Sequence, residues 1–468
     1  MIQAKSLVQG KLIEGKVSQK TSSPVDGSEI AEIKLLSEEE LTQVFLEAKK
    51  FNGSPIKNNF DELVLLADYF KKNHIKFTEQ IISDAGFTQK DSEDLVNCSI
   101  EFCRDYSRHL AELPDSEVST SFSFEGNSHP KIHFTSSPYG LISATTPRNT
   151  PLITELTIVV HALWSGNALV LRPSPGVAGT VAMMIEGLLK CFTKESLAQL
   201  NMVFSDAKEF VTASIEHANL LHYVGSSKYL QNTLISGIEN GTKVLVDGDG
   251  CSMVVVDAKA DIEKAAKACY EGLVRANGQI CITIRAIIVA QEIHAEFTSL
   301  FLDLIKQTTV EPPVLKKEIG MGPVFSAAQA EAIIGVSKKY KVLSSGDNPL
   351  SYGPNYITPV VLELEPDNTT FLRESLFGPV VGIASYAGDE WKKWFEENPI
   401  NLTDVVFSED ESFVEEFLTT SKSPRRVVNI DPTIESVFEP WGAFLPSGWN
   451  DVSYWFTKYR NYYQLIKV

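Results

Sequence analysis

One cysteine stands where a loop passes into a strand. Cys281 follows the small Asn-Gly-Gln segment 277–279 and precedes the β-branched run 282–289, which is typical of a buried strand. We expect the lead-in to be flexible and the thiol to be held from one side while remaining open to approach from the other. The cysteine anion is reactive near neutral pH, so the position predicts a nucleophile. An isolated cysteine can equally be a buried structural thiol.

Length and charge limit the class of protein. A chain of 468 residues exceeds what one hydrophobic core supports, so we expect two domains. The formal net charge of -18 disfavours nucleic acid and anionic membrane surfaces as partners. No apolar run approaches the roughly 18 residues of a membrane span, and the N-terminus lacks the apolar core of a signal peptide.

The cysteines are scattered along the chain without a CxxC pair or a metal-ligand spacing with histidine. This distribution predicts reduced thiols in a cytoplasmic protein, with neither a disulfide framework nor a metal site. The six positions are Cys98, Cys103, Cys191, Cys251, Cys269 and Cys281.

Strands alternate with helices over residues 139–245, and a second α/β pattern follows Asp257. This alternation predicts a parallel, doubly wound sheet of the dinucleotide-binding kind. The glycine-rich fingerprint of ordinary Rossmann domains is absent. The start of the helix at residues 225–227 is therefore the favoured phosphate seat.

Two segments predict a small appendage. Residues 119–135 read as a hairpin without a fully apolar face, and residues 462–468 read as a further strand. Such exposed strands usually pair with another sheet, so we expect an oligomer-forming arm. The predicted fold class is α/β, with two doubly wound domains and this β arm. The predicted ranges are 1–118 with 139–246 for the dinucleotide-binding domain, 119–138 with 455–468 for the arm, and 247–454 for the catalytic domain.

Six short motifs occur in a fixed order along the chain. They resemble those of the aldehyde dehydrogenase superfamily, with similar separations, from about residue 23 to the C-terminus. The motifs are TPRNTP (146–151), VLRPSP (170–175), YVGSS (223–227), VDGDG (246–250), NGQIC (277–281) and SLFGP (375–379).

The resemblance implies a covalent mechanism. Cys281 would attack the aldehyde carbonyl, and the amide of Asn149 with the backbone N–H of Cys281 would hold the resulting oxyanion. Hydride would then pass to a nicotinamide, and a carboxylate would activate water to hydrolyse the thioester. Taken alone, Asn149 could be a turn residue between prolines.

Asp247 stands where the family usually has its general-base glutamate. It keeps the carboxylate but is one methylene shorter, so its reach is reduced. It could instead be a turn-forming aspartate before Gly248. If it cannot activate water, transfer of the acyl group to coenzyme A becomes an alternative.

Gly225 and Ser226, at the helix start, are predicted to bind phosphate. The resemblance assigns the nicotinamide half of the cofactor to the SLFGP motif. Ser375 replaces the family's ribose-binding glutamate, with Glu374 one residue early, and this predicts a looser grip. Phe377 matches the aromatic that packs beside the nicotinamide.

At the adenosine end, the resemblance assigns Arg172 and Ser174 to cofactor binding. Pro175 stands where members that prefer NAD have an acid. Without that acid, and with a guanidinium nearby, a 2′-phosphate meets no repulsion, so we expect NADP or NAD, with NADP accepted. Arg172 could otherwise be a solvated charge at a strand end.

Arg148 and Trp441 are predicted to line the substrate pocket. Trp441 resembles the family's pocket aromatic, whereas Arg148 replaces an aromatic beside the catalytic asparagine. Arg148 could favour an anionic substrate or pair with a surface acid.

The leading hypothesis is an NAD(P)-dependent aldehyde dehydrogenase with a small-molecule aldehyde substrate, assembled as a homodimer or homotetramer. The alternatives are an enzyme that acylates coenzyme A and a catalytically weak homologue retained for binding or assembly.

Overall fold

The computed structural model describes residues 1–55, 57–113, 119–121, 131–344, 348–374 and 376–467. Over these residues the chain forms two large, mostly parallel sheets covered by helices, with two short sheets beside them. The predicted α/β fold class is confirmed.

The first large sheet has nine strands within the described residues. Its central strands pair in parallel because helices connect them, and they are apolar on both faces, as a sheet covered on both sides requires. In spatial order the strands are Trp441–Ala443, Gly448–Ser453, Lys243–Asp247, Leu220–Val224, Leu141–Thr145, Ala168–Arg172, Leu200–Met202, Ser6–Val8 and Lys11–Ile13.

The second large sheet has seven strands in the described part of the chain. Its centre is the strand that follows the cysteine loop, and every residue of that strand is buried. In spatial order the strands are Lys341–Ser344, Val360–Glu363, Val380–Tyr386, Ile284–Ala290, Ser252–Val256, Thr403–Phe407 and Arg425–Val428.

Helices cover both sheets, and the first begins where Ser37 followed by three glutamates predicts a helix start. Ser37 caps the first, where its hydroxyl accepts from Glu40 N–H and Glu40 bonds back to the Ser37 N–H. The α-helices are Glu38–Lys49, Asp61–Lys72, His74–Ala85, Gln89–Glu112, Ile153–Trp164, Ala178–Cys191, Lys194–Ala198, Ala207–His217, Leu230–Asn240, Ile262–Val274, His294–Lys306, Ala327–Ser337, Glu390–Glu397, Glu411–Thr420 and Trp455–Lys458. Short 3₁₀ helices span Pro175–Val177, Ser227–Tyr229, Arg275–Gly278 and Thr369–Arg373.

The predicted arm contains a three-stranded sheet. The tail strand Arg460–Lys467 pairs antiparallel with Lys131–Pro138, which pairs on its other side with Ser119–Ser121. The predicted turn of this hairpin lies outside the described residues. A separate sheet near the N-terminus is formed by Ile2–Ala4, Glu29–Leu35 and Val17–Ser22.

Two strands return late in the chain to the first sheet. Trp441–Ala443 and Gly448–Ser453 lie inside the range predicted for the catalytic domain, but the second of them pairs antiparallel with Lys243–Asp247. Asp247 is directly opposite Gly448 in this pairing. The sheet therefore brings residues near the C-terminus beside the predicted general base, whereas the predicted domain ranges stay predictions.

Among the described residues, no helix has the length and apolar character needed to cross a membrane. The six cysteines are free thiols.

Candidate active site

A cavity of about 820 Å³ opens beside the cysteine loop. Its wall contains most of the residues predicted to act in catalysis or binding: Cys281, Asn149, Asp247, Gly225, Ser226, Phe377, Arg148 and Trp441. Among the described residues, Arg172 and Ser174 do not line it. Ser375 lies outside the described part of the chain. The cavity thus groups side chains that are far apart in sequence, and their individual roles stay predictions.

The segment before Cys281 is tightly held, and the expectation of a flexible lead-in is wrong. Ala276, Asn277 and Gly278 have φ values of 47°, 58° and 71°, a left-handed conformation that non-glycine residues adopt only when contacts hold them. The Asn277 amide supplies these contacts. Its Nδ2 donates to Gly86 O (2.8 Å) and Pro323 O (2.9 Å), and its Oδ1 accepts from Gly322 N–H (2.8 Å).

Close packing also restricts the neighbouring positions of this loop. A Cβ atom at Gly278 would lie 2.5 Å from Pro379 N, so only glycine fits there. Gln279 Oε1 accepts from Phe325 N–H at 2.8 Å. The strand begins at Ile284, two residues later than the sequence pattern predicts, and Cys281 is left in a turn at the cavity wall.

Burial raises the pKa of the Cys281 thiol well above its ordinary value, and the carboxylates of Glu435 and Asp247 raise it further. The anionic form is disfavoured because the site is poorly solvated and negatively charged. The thiol is therefore protonated at neutral pH. Its attack on a carbonyl requires a base, or a positive charge, close to the sulfur.

Two hydrogen-bond donors on the same cavity wall as the thiol can meet a developing negative charge. Within the described residues, the side-chain amide of Asn149 has no hydrogen-bond partner in the protein, and the backbone N–H of Cys281 bonds to no other residue. Asn149 is 9% exposed, and that exposed part faces the cavity. Unpaired, preorganised donors of this kind are the elements of an oxyanion hole.

Asp247 is bound on its inner side by two buried residues that the sequence did not indicate. Its Oδ2 lies 2.6 Å from His222 Nε2, and Asn450 Nδ2 donates to Oδ1 at 3.0 Å and to Oδ2 at 3.2 Å. Burial opposes ionisation of the carboxyl group, but His222, Lys458 and Asn450 outweigh it and hold the pKa of Asp247 below its ordinary value. Asp247 is therefore an anion at the cavity wall.

At the predicted phosphate-binding position, a carboxylate oxygen of the chain itself, from Asp249, accepts the hydrogen bonds. Asp249 Oδ2 accepts from the backbone N–H of Ser227 (2.9 Å) and the hydroxyl of Ser226 (3.1 Å), at the start of the helical segment that continues through Asn240. A carboxylate oxygen stands here for a phosphate oxygen, so the donors fit the pyrophosphate of a dinucleotide. Binding at these donors would displace Asp249.

The two residues predicted for the adenosine end lie beside each other but outside the cavity. Arg172 Nε donates to Ser205 O at 2.9 Å, and its Nη groups have no hydrogen bond within the described residues. Ser174 Oγ accepts from Gly176 N–H at 3.3 Å and caps the short helix Pro175–Val177.

The guanidinium of Arg148 is held by the protein. Its Nε donates to Asp84 O at 3.0 Å, Nη2 donates to the same oxygen, and the group lies 4.9 Å from the centre of the Phe325 ring. Arg148 contacts a buried backbone carbonyl and an aromatic face, where the sequence left open an anionic substrate or a surface acid.

Glu435 is a further carboxylate on the cavity wall, and the sequence gave no sign of it. Its side chain is open to the cavity and has no hydrogen bond or ion pair within the described residues. Desolvation by the surrounding protein raises the pKa of Glu435 to about 7, although Arg425 acts in the opposite direction. Among the described residues, no group of histidine, cysteine and acidic side chains has the geometry of a metal site.

Comparisons with known proteins agree on one family. A family model described as the aldehyde dehydrogenase family matches residues 13–468. A lactaldehyde dehydrogenase of Methanocaldococcus jannaschii is 26% identical over 437 residues, 90% of either chain. A D-glyceraldehyde dehydrogenase (NADP(+)) of Picrophilus torridus is 25% identical over 362 residues, 74% of this chain and 71% of that protein. In fold, the chain is similar to the crystal structure of lactaldehyde dehydrogenase from Escherichia coli, with a TM-score of 0.90 at 16% identity, covering 100% of this chain and 99% of that one.

Proposed function

Because the chain belongs to the aldehyde dehydrogenase family, we propose that it oxidises an aldehyde to a carboxylic acid, with NADP or NAD, through a covalent bond to Cys281. One observation carries the proposal. The thiol, the unpaired amide of Asn149 and the ionised carboxylate of Asp247 all line one cavity.

In the first step, Cys281 Sγ forms a bond to the aldehyde carbon, and the carbonyl oxygen becomes an oxyanion. The Asn149 amide and the Cys281 backbone N–H donate to that oxygen, each contributing about 2.7–4 kcal/mol of transition-state stabilisation. The raised pKa of the thiol means that its proton must leave as the bond forms. This proton passes to solvent water in the open cavity, which leaves Asp247 ionised for the hydrolysis step.

Oxidation removes a hydride from the carbon of the thiohemiacetal and leaves a thioester on Cys281. Bound NADP or NAD supplies the acceptor for this hydride. The chain would hold the cofactor through the Ser226 and Ser227 donors, and the exposed side of Phe377 lies on the same cavity wall.

In the last step, Asp247 takes a proton from water while the water oxygen attacks the thioester carbonyl. The carbon–sulfur bond breaks, Cys281 leaves with the electron pair, and the carboxylic acid is released. A thiol such as that of coenzyme A could replace the water, which is the alternative acylating reaction.

We further infer that the protein is cytoplasmic and forms a homodimer or homotetramer. Its free cysteines suit a reducing compartment. On one face of the arm, the tail strand exposes Tyr462 (37%) and Ile466 (55%) beside the exposed Phe134 (48%) of the paired strand. A patch of this kind favours contact with another copy. Light scattering at micromolar concentration should give twice or four times the mass of the chain, and a monomer would contradict the inference.

The function is tested with a spectrophotometric panel of aldehydes, including lactaldehyde and glyceraldehyde, with NADP or NAD and with or without coenzyme A. The expected result is reduced cofactor and free acid without coenzyme A, with turnover by NADP at least comparable to that by NAD. A requirement for coenzyme A would favour the acylating alternative. No turnover in any combination would favour a binding or assembly role.

A further inference from the structure

On the side away from the cavity, Asp247 is joined to a buried chain of hydrogen bonds that has no part in the proposed reaction steps. His222 joins Asp247 to Tyr459: its Nε2 is 2.6 Å from Asp247 Oδ2, and its Nδ1 is 2.7 Å from Tyr459 Oη. His222 and Tyr459 are fully buried. Trp455 packs against the imidazole with ring centres 4.5 Å apart, and the two hydrogen bonds hold the ring in this orientation.

The proton positions follow from the chemistry of these groups. Burial raises the pKa of Tyr459 well above its ordinary value, so the phenol keeps its proton and can donate to His222 Nδ1. An imidazole that accepts at Nδ1 carries its proton on Nε2. His222 therefore donates to the carboxylate of Asp247.

A second branch approaches the same carboxylate from the C-terminal strands. Asn450 donates to both carboxylate oxygens, and its own Oδ1 accepts from Lys458 Nζ at 2.6 Å. Lys458 also donates to the backbone oxygens of Trp441 and Asp451, each at 2.6 Å. The Lys458 ammonium group thus uses its three N–H donors on three oxygens. Because an ammonium only donates, the oxygen of the Asn450 amide must face Lys458 and its NH₂ group must face Asp247.

We propose that His222 and Asn450 are positioning residues that keep Asp247 ionised and fixed at the cavity wall, so that this shorter side chain can act as the base for thioester hydrolysis. The inference rests on the proposed function. A buried carboxylate without these donors would take up a proton and could no longer receive one from water. His222 and Asn450 donate from the side away from the cavity, so the remaining lone pairs of the Asp247 carboxylate can accept from a water in the cavity. A carboxylate that is already fixed loses less conformational entropy when it binds that water.

The charged and titratable groups around Asp247 come from several elements. His222 lies on the neighbouring strand, Lys458 and Tyr459 come from the C-terminal segment, and Cys281, Asp249 and Glu435 face it from the cavity. Because Glu435 in the same wall also has a pKa of about 7, only the difference in the acid limb of hydrolysis between the His222 variant and the wild type is assigned to Asp247.

The test measures hydrolysis of the acyl-enzyme directly, without cofactor. 4-Nitrophenyl acetate transfers its acetyl group to the Cys281 sulfur, and 4-nitrophenol leaves with the thiol proton. Mass spectrometry then follows the loss of the acetyl group with time at several pH values. In His222→Leu the loss should be at least about 10-fold slower, with its pH midpoint shifted upward. His222→Gln, which can still donate, should recover most of the rate, and Tyr459→Phe should lie between.

A matched control exists in another part of the fold. His161 is also buried and lies 3.0 Å from a tyrosine hydroxyl, that of Tyr106, without contact to Asp247. His161→Leu should lower stability but leave the acid limb of hydrolysis unchanged. An unchanged rate and midpoint in His222→Leu would overturn the inference, as would an equal effect of His161→Leu. Failure of the proposed function would appear separately, as normal acetyl hydrolysis in a protein that oxidises no aldehyde.

Discussion

The carboxylate of Asp249 accepts a 2.9 Å hydrogen bond from the backbone N–H of Ser227. The amide of Asp249 donates in return to the Ser227 hydroxyl at 2.8 Å. These two hydrogen bonds hold Asp249 at the helix start that was predicted to bind a phosphate. The Asp249 carboxylate and a cofactor phosphate would therefore compete for the same hydrogen-bond donors.

Competition at this position predicts that Asp249→Asn binds NADPH more tightly than the wild type. The substitution removes a negative charge from the helix start, where such charges interact by roughly 0.3–1 kcal/mol, so the Kd should fall about 2- to 5-fold. Fluorescence titration of the protein without substrate measures it. Asp261→Asn is the matched control, since Asp261 caps another helix by accepting from Lys264 N–H and should leave the Kd unchanged. Weaker binding by Asp249→Asn would show that Asp249 supports the cofactor.

Glu435 is predicted to restrain the reactivity of Cys281. After burial, its carboxylate is the largest cause of the raised thiol pKa. Glu435→Gln should lower that pKa and increase the thiolate fraction, because only the anion is alkylated. Iodoacetamide labelling of Cys281 at pH 8 should become about 3- to 10-fold faster, with its midpoint at lower pH. Labelling of Cys281→Ser gives the background from other cysteines. An unchanged labelling rate in Glu435→Gln would show that Glu435 does not affect the Cys281 thiol.

Asn277 is predicted to stabilise the whole cysteine loop. Asn277→Ala leaves two carbonyl oxygens and one N–H of the backbone without their partner, in a site that is fully buried. The free energy of unfolding should fall by about 3 kcal/mol, since each buried unsatisfied group costs roughly 1–3 kcal/mol. Urea unfolding measures the change. Asn240→Ala removes one hydrogen bond from an exposed asparagine and should change stability by less than about 0.5 kcal/mol.

Local patterns in the sequence were sufficient for much of the fold. The order of strands and helices over residues 139–245 predicted the strands Leu220–Val224 and Lys243–Asp247, and the serine followed by three glutamates predicted the helix at Ser37. These features depend on residues close together in the chain. The pairing of Gly448–Ser453 with the first sheet depends on contacts across 200 residues, and no local pattern carries that information.

The same contrast applies to the site. The grouping of Asn149 with Cys281 was expected from ordered motifs, and both line one cavity. His222, Asn450 and Glu435 lie in no such motif, and each matters only through its neighbours in space. The loop at Asn277 was misjudged for the same reason, because small residues suggest flexibility until their buried partners are known.

The proposed function requires Cys281 to carry the substrate as a thioester, and trapping that thioester tests this requirement. The Asp247→Asn variant is mixed with lactaldehyde or glyceraldehyde and NADP, quenched in acid within one turnover, digested, and examined by mass spectrometry. An acyl group is expected on the peptide that contains Cys281, with no turnover in Cys281→Ala. Full aldehyde oxidation by Cys281→Ala, or an acyl group only on another residue, would contradict this requirement.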